Sequence, residues 1–251
     1  MEDIIINIFD FTNVYKSQNF YKEYHHRYFD FTNLSSVNCY CDDEAFSKIK
    51  KEIYNKPVKD KTMINFLDNG NFHYLTYLTM SMIKKDFCLV LFDNHPDAKE
   101  PLFPILSCGG WVIDAIKNLS HLKKIVFIGV DPSLFDEIND VFAGHNFKKI
   151  HYDSDKRIYI YEAYNNTESN YPIYLSIDKD VFDKEFASTM WSQGNMSFDE
   201  FKSLMKDTIG NKSVLGIDIT GEIGENTSDT RGNTLNEKAN SFILTEIFRY
   251  F

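Results

Sequence analysis

The sequence predicts an α/β protein in which helices cover both faces of a parallel sheet. Short apolar runs rich in β-branched and aromatic residues recur along the chain, and helical patterns lie between many of them. Several runs are apolar at every position, as in Phe87–Phe92, and a strand buried on both faces is typical of a sheet between two helical layers. The alternation therefore indicates one three-layer domain over residues 1–251.

Each predicted element is a run with its own periodicity. The clearest strands are Ile4–Phe9, Ser36–Cys41, Met63–Leu67, Phe87–Phe92, Lys124–Val130, Arg157–Tyr161, Pro172–Ile177 and Ser213–Ile219. The predicted helices are Asp43–Tyr54, Phe72–Ile83, Val112–Leu119, Pro132–Phe142, Ser197–Ile209 and Leu235–Phe248. Two helix starts are marked chemically, because Ser197 and Glu200 match a capping box and Asp131 precedes Pro132 at a first helical position.

Composition argues against several classes of protein. The chain carries 37 acidic and 27 basic side chains, a net charge of −10, and an acidic surface repels phosphate, so nucleic acid is not an expected partner. No apolar run approaches the roughly 20 residues of a membrane span, and the first residues lack the pattern of a signal peptide. The four cysteines have neither zinc-site nor redox spacing. We therefore expect a cytoplasmic protein with reduced thiols and no membrane segment.

Acidic and histidine side chains follow three predicted strands at the point where each strand ends. The strands are Met63–Leu67, Phe87–Phe92 and Pro172–Ile177. Ligands of open parallel sheets bind outside the carboxyl ends of the strands, so we expect these side chains to share one crevice. The six candidates are His73, Asp93, His95, Asp97, Asp178 and Asp180.

Four carboxylates and two imidazoles in one crevice would repel each other without a cation. Oxygen and nitrogen donors without a thiolate suit manganese, and also zinc, iron, nickel or cobalt. Six donors exceed the need of one tetrahedral ion, so two divalent ions that share bridging carboxylates are expected. Two such ions can generate a hydroxide nucleophile at neutral pH. A single D-x-D motif at a strand end is usually a turn or cap, but the combination of motifs favours the metal interpretation.

The same residues resemble a known family. Asp93–Asp97 (DNHPD) resembles the D-x-H-x-D signature of the arginase (ureohydrolase) superfamily, Ser176–Asp183 its S-x-D-x-D-x-x-D signature, and Gly70–His73 its G-x-x-H element. The resemblance spans residues 63–222. It implies a three-layer α/β/α fold with a mostly parallel, eight-stranded sheet and two Mn²⁺ ions. It also implies hydrolysis of a guanidino or amidino C–N bond in a small molecule by a metal-bridging hydroxide.

The resemblance further implies a role for each residue. One ion would be bound by His73 and Asp97, and the other by His95 and Asp180. Asp93 and Asp178 would bridge the two ions. Asp97 would also act in catalysis by accepting a hydrogen bond from the hydroxide. A glutamate after the strand Ser213–Ile219 would pair with the substrate guanidinium; Glu222 is the first candidate, one residue later than the family pattern, and Glu225 the second.

Three departures from the family pattern bear on the substrate. Lys179 lies between the two aspartates where the family has an apolar residue. Residues 106–111 contain no histidine, although arginases have a proton-shuttle histidine in this region. The contacts that bind an amino acid's α-carboxylate are not evident after Asp97. We therefore expect a substrate other than arginine, and water or a side chain such as Cys108 would protonate the leaving amine.

Two alternative functions remain open at this point. The missing shuttle histidine would also suit a metal-binding but catalytically silent relative that binds a ligand or partner. A metal-dependent amidohydrolase or deacetylase would have the same architecture, but the adjacent histidine pair of histone deacetylases is missing at the predicted strand ends. Because members of the family often associate, a homo-oligomer is a further open expectation.

Overall fold

The computed structural model describes residues 4–55, 61–100, 103–134, 138–164, 166, 168, 170–210, 212–224 and 229–251. The strands of this part are β1 Ile4–Asp10, β2 His26–Asp30, β3 Tyr40–Cys41, β4 Thr62–Phe66, β5 Phe87–Phe92, β6 Leu106–Ser107, β7 Leu122–Ile128, β8 Phe147–Asp153, β9 Ile158–Ala163, β10 Ile173–Asp178 and β11 Val214–Thr220. The α-helices are α1 Asp43–Tyr54, α2 Leu75–Met80, α3 Trp111–Asn118, α4 Ile138–Gly144, α5 Phe198–Ile209 and α6 Thr230–Ile247.

The main sheet has the spatial order β2-β1-β4-β11-β10-β5-β7-β9-β8. The first seven strands of this order pair in parallel, and an antiparallel hairpin of β8 and β9 extends the sheet beside β7. The described residues thus form a mostly parallel sheet of nine strands, where the resemblance implied eight. Strands β3 and β6 form a separate antiparallel pair.

Alternate side chains of the strands pack into two hydrophobic cores, one on each face of the sheet. In β5, Leu89 and Leu91 belong to one core, whereas Val90 and Phe92 belong to the other. The first core includes buried residues of α1 to α4, and the second those of α5 and α6. Helices thus lie on both faces, and the predicted three-layer α/β/α class is confirmed.

Several element boundaries differ from the sequence-based predictions. The predicted helix Phe72–Ile83 is reduced to α2, because a short 3-10 helix at Gly70–Phe72 precedes it. The predicted helix Pro132–Phe142 becomes a 3-10 helix at Pro132–Leu134 and α4, with residues 135–137 outside the described part. In contrast, α1 has its predicted bounds, and α5 begins at the predicted capping box, in which Ser197 and Glu200 cap each other.

None of the helices in the described ranges combines the length and hydropathy that a membrane-spanning segment requires.

The turn after β4 contains Asp68, whose hydrogen bonds connect it to the segment that follows β1. Asp68 has a φ of 67°, and its Oδ2 accepts hydrogen bonds from the backbone N–H groups of Phe11 at 2.8 Å and Thr12 at 2.9 Å. The Asp68 N–H donates to the Tyr15 hydroxyl at 2.9 Å. Burial raises the pKa of Asp68 to about 7, opposed by the Phe11 hydrogen bond and aided by the charge of Asp10.

We expect Asp68→Asn to change how stability depends on pH. A carboxyl whose pKa is raised on folding contributes stability below its unfolded pKa and loses it as the pH rises toward its folded pKa of about 7. The contribution of this group to wild-type stability should thus fall between about pH 4 and 7, by up to about 1.4 kcal/mol per pH unit. The variant, which keeps a residue tolerant of positive φ, should show a shallower slope in urea unfolding of chelator-treated protein. The exposed Asp199→Asn should keep the wild-type slope.

Candidate metal centre

The ends of three parallel strands bring the six predicted ligands together. β10 ends on Asp178, and a 3-10 helix at Lys179–Val181 follows it directly. The Asp93 backbone continues the β5–β7 ladder, since its N–H donates to the Ile128 carbonyl at 3.1 Å. His73 follows the 3-10 helix at Gly70–Phe72 beyond β4. The six side chains therefore meet at the carboxyl edge of the sheet.

His73 is the centre of a first group of donors. Its Nδ1 lies 2.8 Å from Asp97 Oδ2, 3.3 Å from Asp93 Oδ2 and 3.6 Å from Asp178 Oδ2. Its Nε2 lies 2.8 Å from the Ser176 hydroxyl. The ring is 1% exposed, so one nitrogen is held by a hydroxyl while the other faces three carboxylates.

His95 is the centre of a second group, on the more open side of the site. Its Nδ1 lies 2.8 Å from Asp180 Oδ2 and 3.6 Å from Asp93 Oδ1. The Ser192 hydroxyl lies 2.8 Å from its Nε2, and the Asn94 N–H donates to Asp180 Oδ1 at 3.0 Å. Asp93 thus joins the two groups, with one oxygen toward each histidine.

The titration behaviour of the cluster reflects crowded carboxylates. Burial alone would raise the pKa of Asp93, but His73 and His95 lower it to about 2. Burial and the charge of Asp93 raise the pKa of Asp178 to about 7. Burial would lower the pKa of His95, but the Asp180 and Asp93 carboxylates outweigh it and raise the pKa to about 11. In the absence of a cation, the neighbouring carboxylates thus raise the pKa of both His73 and His95 and favour their protonated forms.

The arrangement fits two cations. His73, Asp93 and Asp178 offer ligand atoms within 4.8 Å of one another, as do Asp93, His95 and Asp180. His73 Nδ1 and Asp93 Oδ2 are buried, and no described residue offers either atom a well-directed hydrogen bond. Buried polar atoms normally have partners, so these two atoms are suited to an ion. Oxygen and nitrogen donors without thiolate match manganese and its neighbours.

Asp97 lies beside the first group in an uncommon backbone conformation. Its φ is 46°, and positive φ is uncommon for residues other than glycine. The indole N–H of Trp111 donates to Asp97 Oδ2 at 2.7 Å, and the Trp111 ring lies 5.0 Å from that of His73 between centroids. Trp111 is fully buried, so it supports Asp97 and His73 from the core rather than lining an open pocket.

Ser176→Ala tests whether the buried hydroxyl orients His73. The variant leaves His73 Nε2 without its 2.8 Å partner, and the loss of an outer-shell partner typically weakens metal binding about 10–100-fold. We expect a drop in Mn²⁺ affinity of that size in a titration of the metal-free protein. The exposed Ser241→Ala on α6 is the matched control. An unchanged affinity for Ser176→Ala would mean that packing alone orients the ring.

A cavity of ≈ 530 Å³ opens onto the cluster. Metal-ligand candidates His95, Asp97, Asp178 and Asp180 line it. Much of the remaining wall is apolar: Pro96, Ala98, Leu134, Val141 and Trp191. Trp191 is 46% exposed, and its ring centroid lies 6.2 Å from that of His95. Sequence reasoning did not identify Ser192 as the partner of His95, because 97 residues separate the two.

Cys108 also lines the cavity. The sequence suggested its thiol as a candidate proton donor for the leaving amine. Burial raises the pKa of its thiol, and the charge of Asp97 adds to the rise. An efficient general acid has a pKa near the working pH. The Cys108 thiol therefore holds its proton too firmly to serve the leaving group well.

The structure gives Glu222 an environment different from the one implied by the resemblance. Its side chain is fully buried and forms an ion pair with Lys179 Nζ. Gln18 Nε2 donates to its other oxygen at 2.9 Å. Glu222 thus forms an internal ion pair in this structure, and its contact with a substrate guanidinium stays a prediction. Glu225 lies outside the described residues.

Comparisons with known proteins bear on the fold and the family of this chain. An uncharacterized protein of Thermotoga maritima is 31% identical over 217 residues, which cover 86% of this chain and 79% of that protein. The arginase of Bacillus caldovelox superposes with a TM-score of 0.67 at 12% identity, covering 100% of this chain and 98% of that one. Proclavaminate amidino hydrolase of Streptomyces clavuligerus gives a TM-score of 0.63 at 14% identity, covering 99% and 92%.

A third solved structure belongs to the same group of folds. Formimidoylglutamase of Bacillus subtilis gives a TM-score of 0.63 at 15% identity, covering 98% of this chain and 86% of that one. At such low identity these structures show the shared fold alone. The family model described as the arginase family matches residues 9–225 of this chain. With most of its length matched in this way, the chain belongs to the arginase family.

Proposed function

We propose that this protein is a binuclear metallohydrolase that cleaves a guanidino or amidino C–N bond of a small molecule, with Mn²⁺ as the preferred ion. The observation that carries the proposal is Asp93, whose two oxygens face two separate groups of nitrogen and oxygen donors. A carboxylate shared between two ligand sets suits a two-metal hydrolytic site, in which the two ions lie close together. Membership of the arginase family agrees with this chemistry.

His73, Asp97, His95, Asp180, Asp93 and Asp178 are the proposed ligands. The pair of ions, when bound, would supply a hydroxide nucleophile at neutral pH. Asp97 is proposed to accept a hydrogen bond from that nucleophile, because its Oδ2 is already fixed by Trp111 at 2.7 Å. Since Cys108 is a poor acid, we assign protonation of the leaving amine to water entering through the cavity.

The decisive experiment is a metal-dependent substrate screen. Chelator-treated protein is reloaded with Mn²⁺ and incubated with guanidino acids, guanidino amines, formimino compounds and N-acetyl amines. Release of urea from a guanidino compound, or of formamide or ammonia from a formimino compound, supports the proposal if it requires both Mn²⁺ and Asp97. Release of acetate instead would indicate a deacetylase. Tight retention of two ions without turnover of any compound would indicate a metal-binding protein that is catalytically silent.

A further inference from the structure

Lys179 lies between two proposed metal ligands, but its side chain does not line the cavity beside them. The residue begins the 3-10 helix that separates Asp178 from Asp180. Its side chain is 0% exposed, pairs with Glu222 and donates to Asn240 Oδ1 at 2.9 Å. A lysine is almost never fully buried without such partners. The turn that carries two ligands is thus attached to the interior by a charged side chain.

The partners of Lys179 form a closed network. Asn240 Nδ2 donates to Glu222 Oε1 at 2.7 Å and to Gln18 Oε1 at 2.9 Å, while Gln18 Nε2 donates to Glu222 Oε2 at 2.9 Å. All four side chains are fully buried. Gln18 follows a 3-10 helix at Val14–Ser17, Glu222 follows β11, and Asn240 belongs to α6. The network therefore ties the ligand-bearing turn to three other segments.

Stability alone does not account for a buried ion pair. Removing two charges from water costs several kcal/mol per ion, and well-packed apolar residues of similar volume are often equally stable. The ion pair adds geometric specificity, because charged groups that form several hydrogen bonds accept few alternative geometries. The Asp180 N–H donates to Asp178 Oδ1 at 2.9 Å within the turn, so a shift of the turn would move both proposed ligands.

We propose that Lys179 is a positioning residue, and that its ion pair with Glu222 holds the side chains of Asp178 and Asp180 in the positions needed to bind metal ions. The inference rests on the proposed function, because it presupposes that these aspartates bind ions. It also assigns Glu222 to the scaffold, so selectivity for a substrate cation does not come from this carboxylate.

The test is a Mn²⁺ titration of metal-free protein, followed by the electron paramagnetic resonance signal of free Mn²⁺. Lys179→Met should weaken Mn²⁺ binding about 10–100-fold, as the loss of outer-shell support does in other metal sites. Lys184→Met is the matched control, because Lys184 is exposed, belongs to the same loop and forms no ion pair with a described residue. It should bind like the wild type.

Lys179→Met alone leaves a buried, unpaired carboxylate that could unfold the protein. The double variant Lys179→Met with Glu222→Gln removes both charges, keeps similar volumes and should melt near the wild-type temperature. If the ion pair positions the turn, this folded variant still binds Mn²⁺ about 10-fold or more weakly. Wild-type affinity in the double variant would overturn the inference and leave the proposed function intact. A wild-type protein that binds no Mn²⁺ would instead overturn the proposed function.

Discussion

Asp93→Ala is expected to abolish binding of both metal ions. Asp93 Oδ2 lies 3.3 Å from His73 Nδ1, and Oδ1 lies 3.6 Å from His95 Nδ1, so the carboxylate belongs to both ligand groups. Its removal should cost more than the roughly 10–100-fold in affinity that an outer-shell change costs. Metal analysis after gel filtration should find two equivalents of Mn²⁺ in the wild type and close to none in the variant. Hydrolysis should fall to background.

A comparison with Asp180→Ala makes this prediction specific. Asp180 belongs to the His95 group alone, so this variant should lose one ion and keep the other. Asp131→Ala, which removes a carboxylate that accepts hydrogen bonds from Ser133 and is not a proposed ligand, should retain both. Two ions retained in Asp93→Ala would show that Asp93 is not the shared ligand, and the proposed distribution of ligands between the two ions would fail with it.

The interior strands could be predicted because burial leaves a continuous apolar signature. β5 has its predicted bounds, Phe87–Phe92, since all six residues are buried and Asp93 ends the run. The edge strands lack this signature. β2 includes the exposed His26 and Asp30, and β8 is largely exposed between its ends. Their strand conformation comes from pairing with a neighbouring strand, which no local sequence pattern reveals. For this reason β2 and β8 were not predicted.

The proximity of the candidate ligands was predictable for a topological reason. Parallel strands end at one edge, so acidic residues after β5 and β10 had to meet wherever those strands were neighbours. The partners of the ligands came from elsewhere. Ser192 lies in a loop, and Lys179 and Glu222 are 43 residues apart. Only the folded chain shows that an unexpected lysine and a displaced glutamate satisfy each other.

Gly221 explains why Glu222 turns inward, and Gly221→Ala should disturb the site. Gly221 follows β11 with a φ of 88°, a conformation that glycine adopts readily and that costs an L-residue about 1–2 kcal/mol. A Cβ at this position would lie 2.7 Å from the backbone N of Lys179 and still closer to Asp178 Oδ1. The turn that carries the ligands would have to move.

We therefore expect Gly221→Ala to lose about 2–4 kcal/mol of stability in urea unfolding, the sum of backbone strain and a steric clash. Its Mn²⁺ affinity should fall as well, because the displaced atoms belong to the Asp178–Asp180 turn. Gly144→Ala is the control, since a Cβ there meets nothing within 4 Å and its φ is not positive; alanine near that helix end should be neutral or mildly stabilising. Lower stability with unchanged metal affinity would show that the strain stays in the backbone, so that the end of β11 does not help to position the metal ligands.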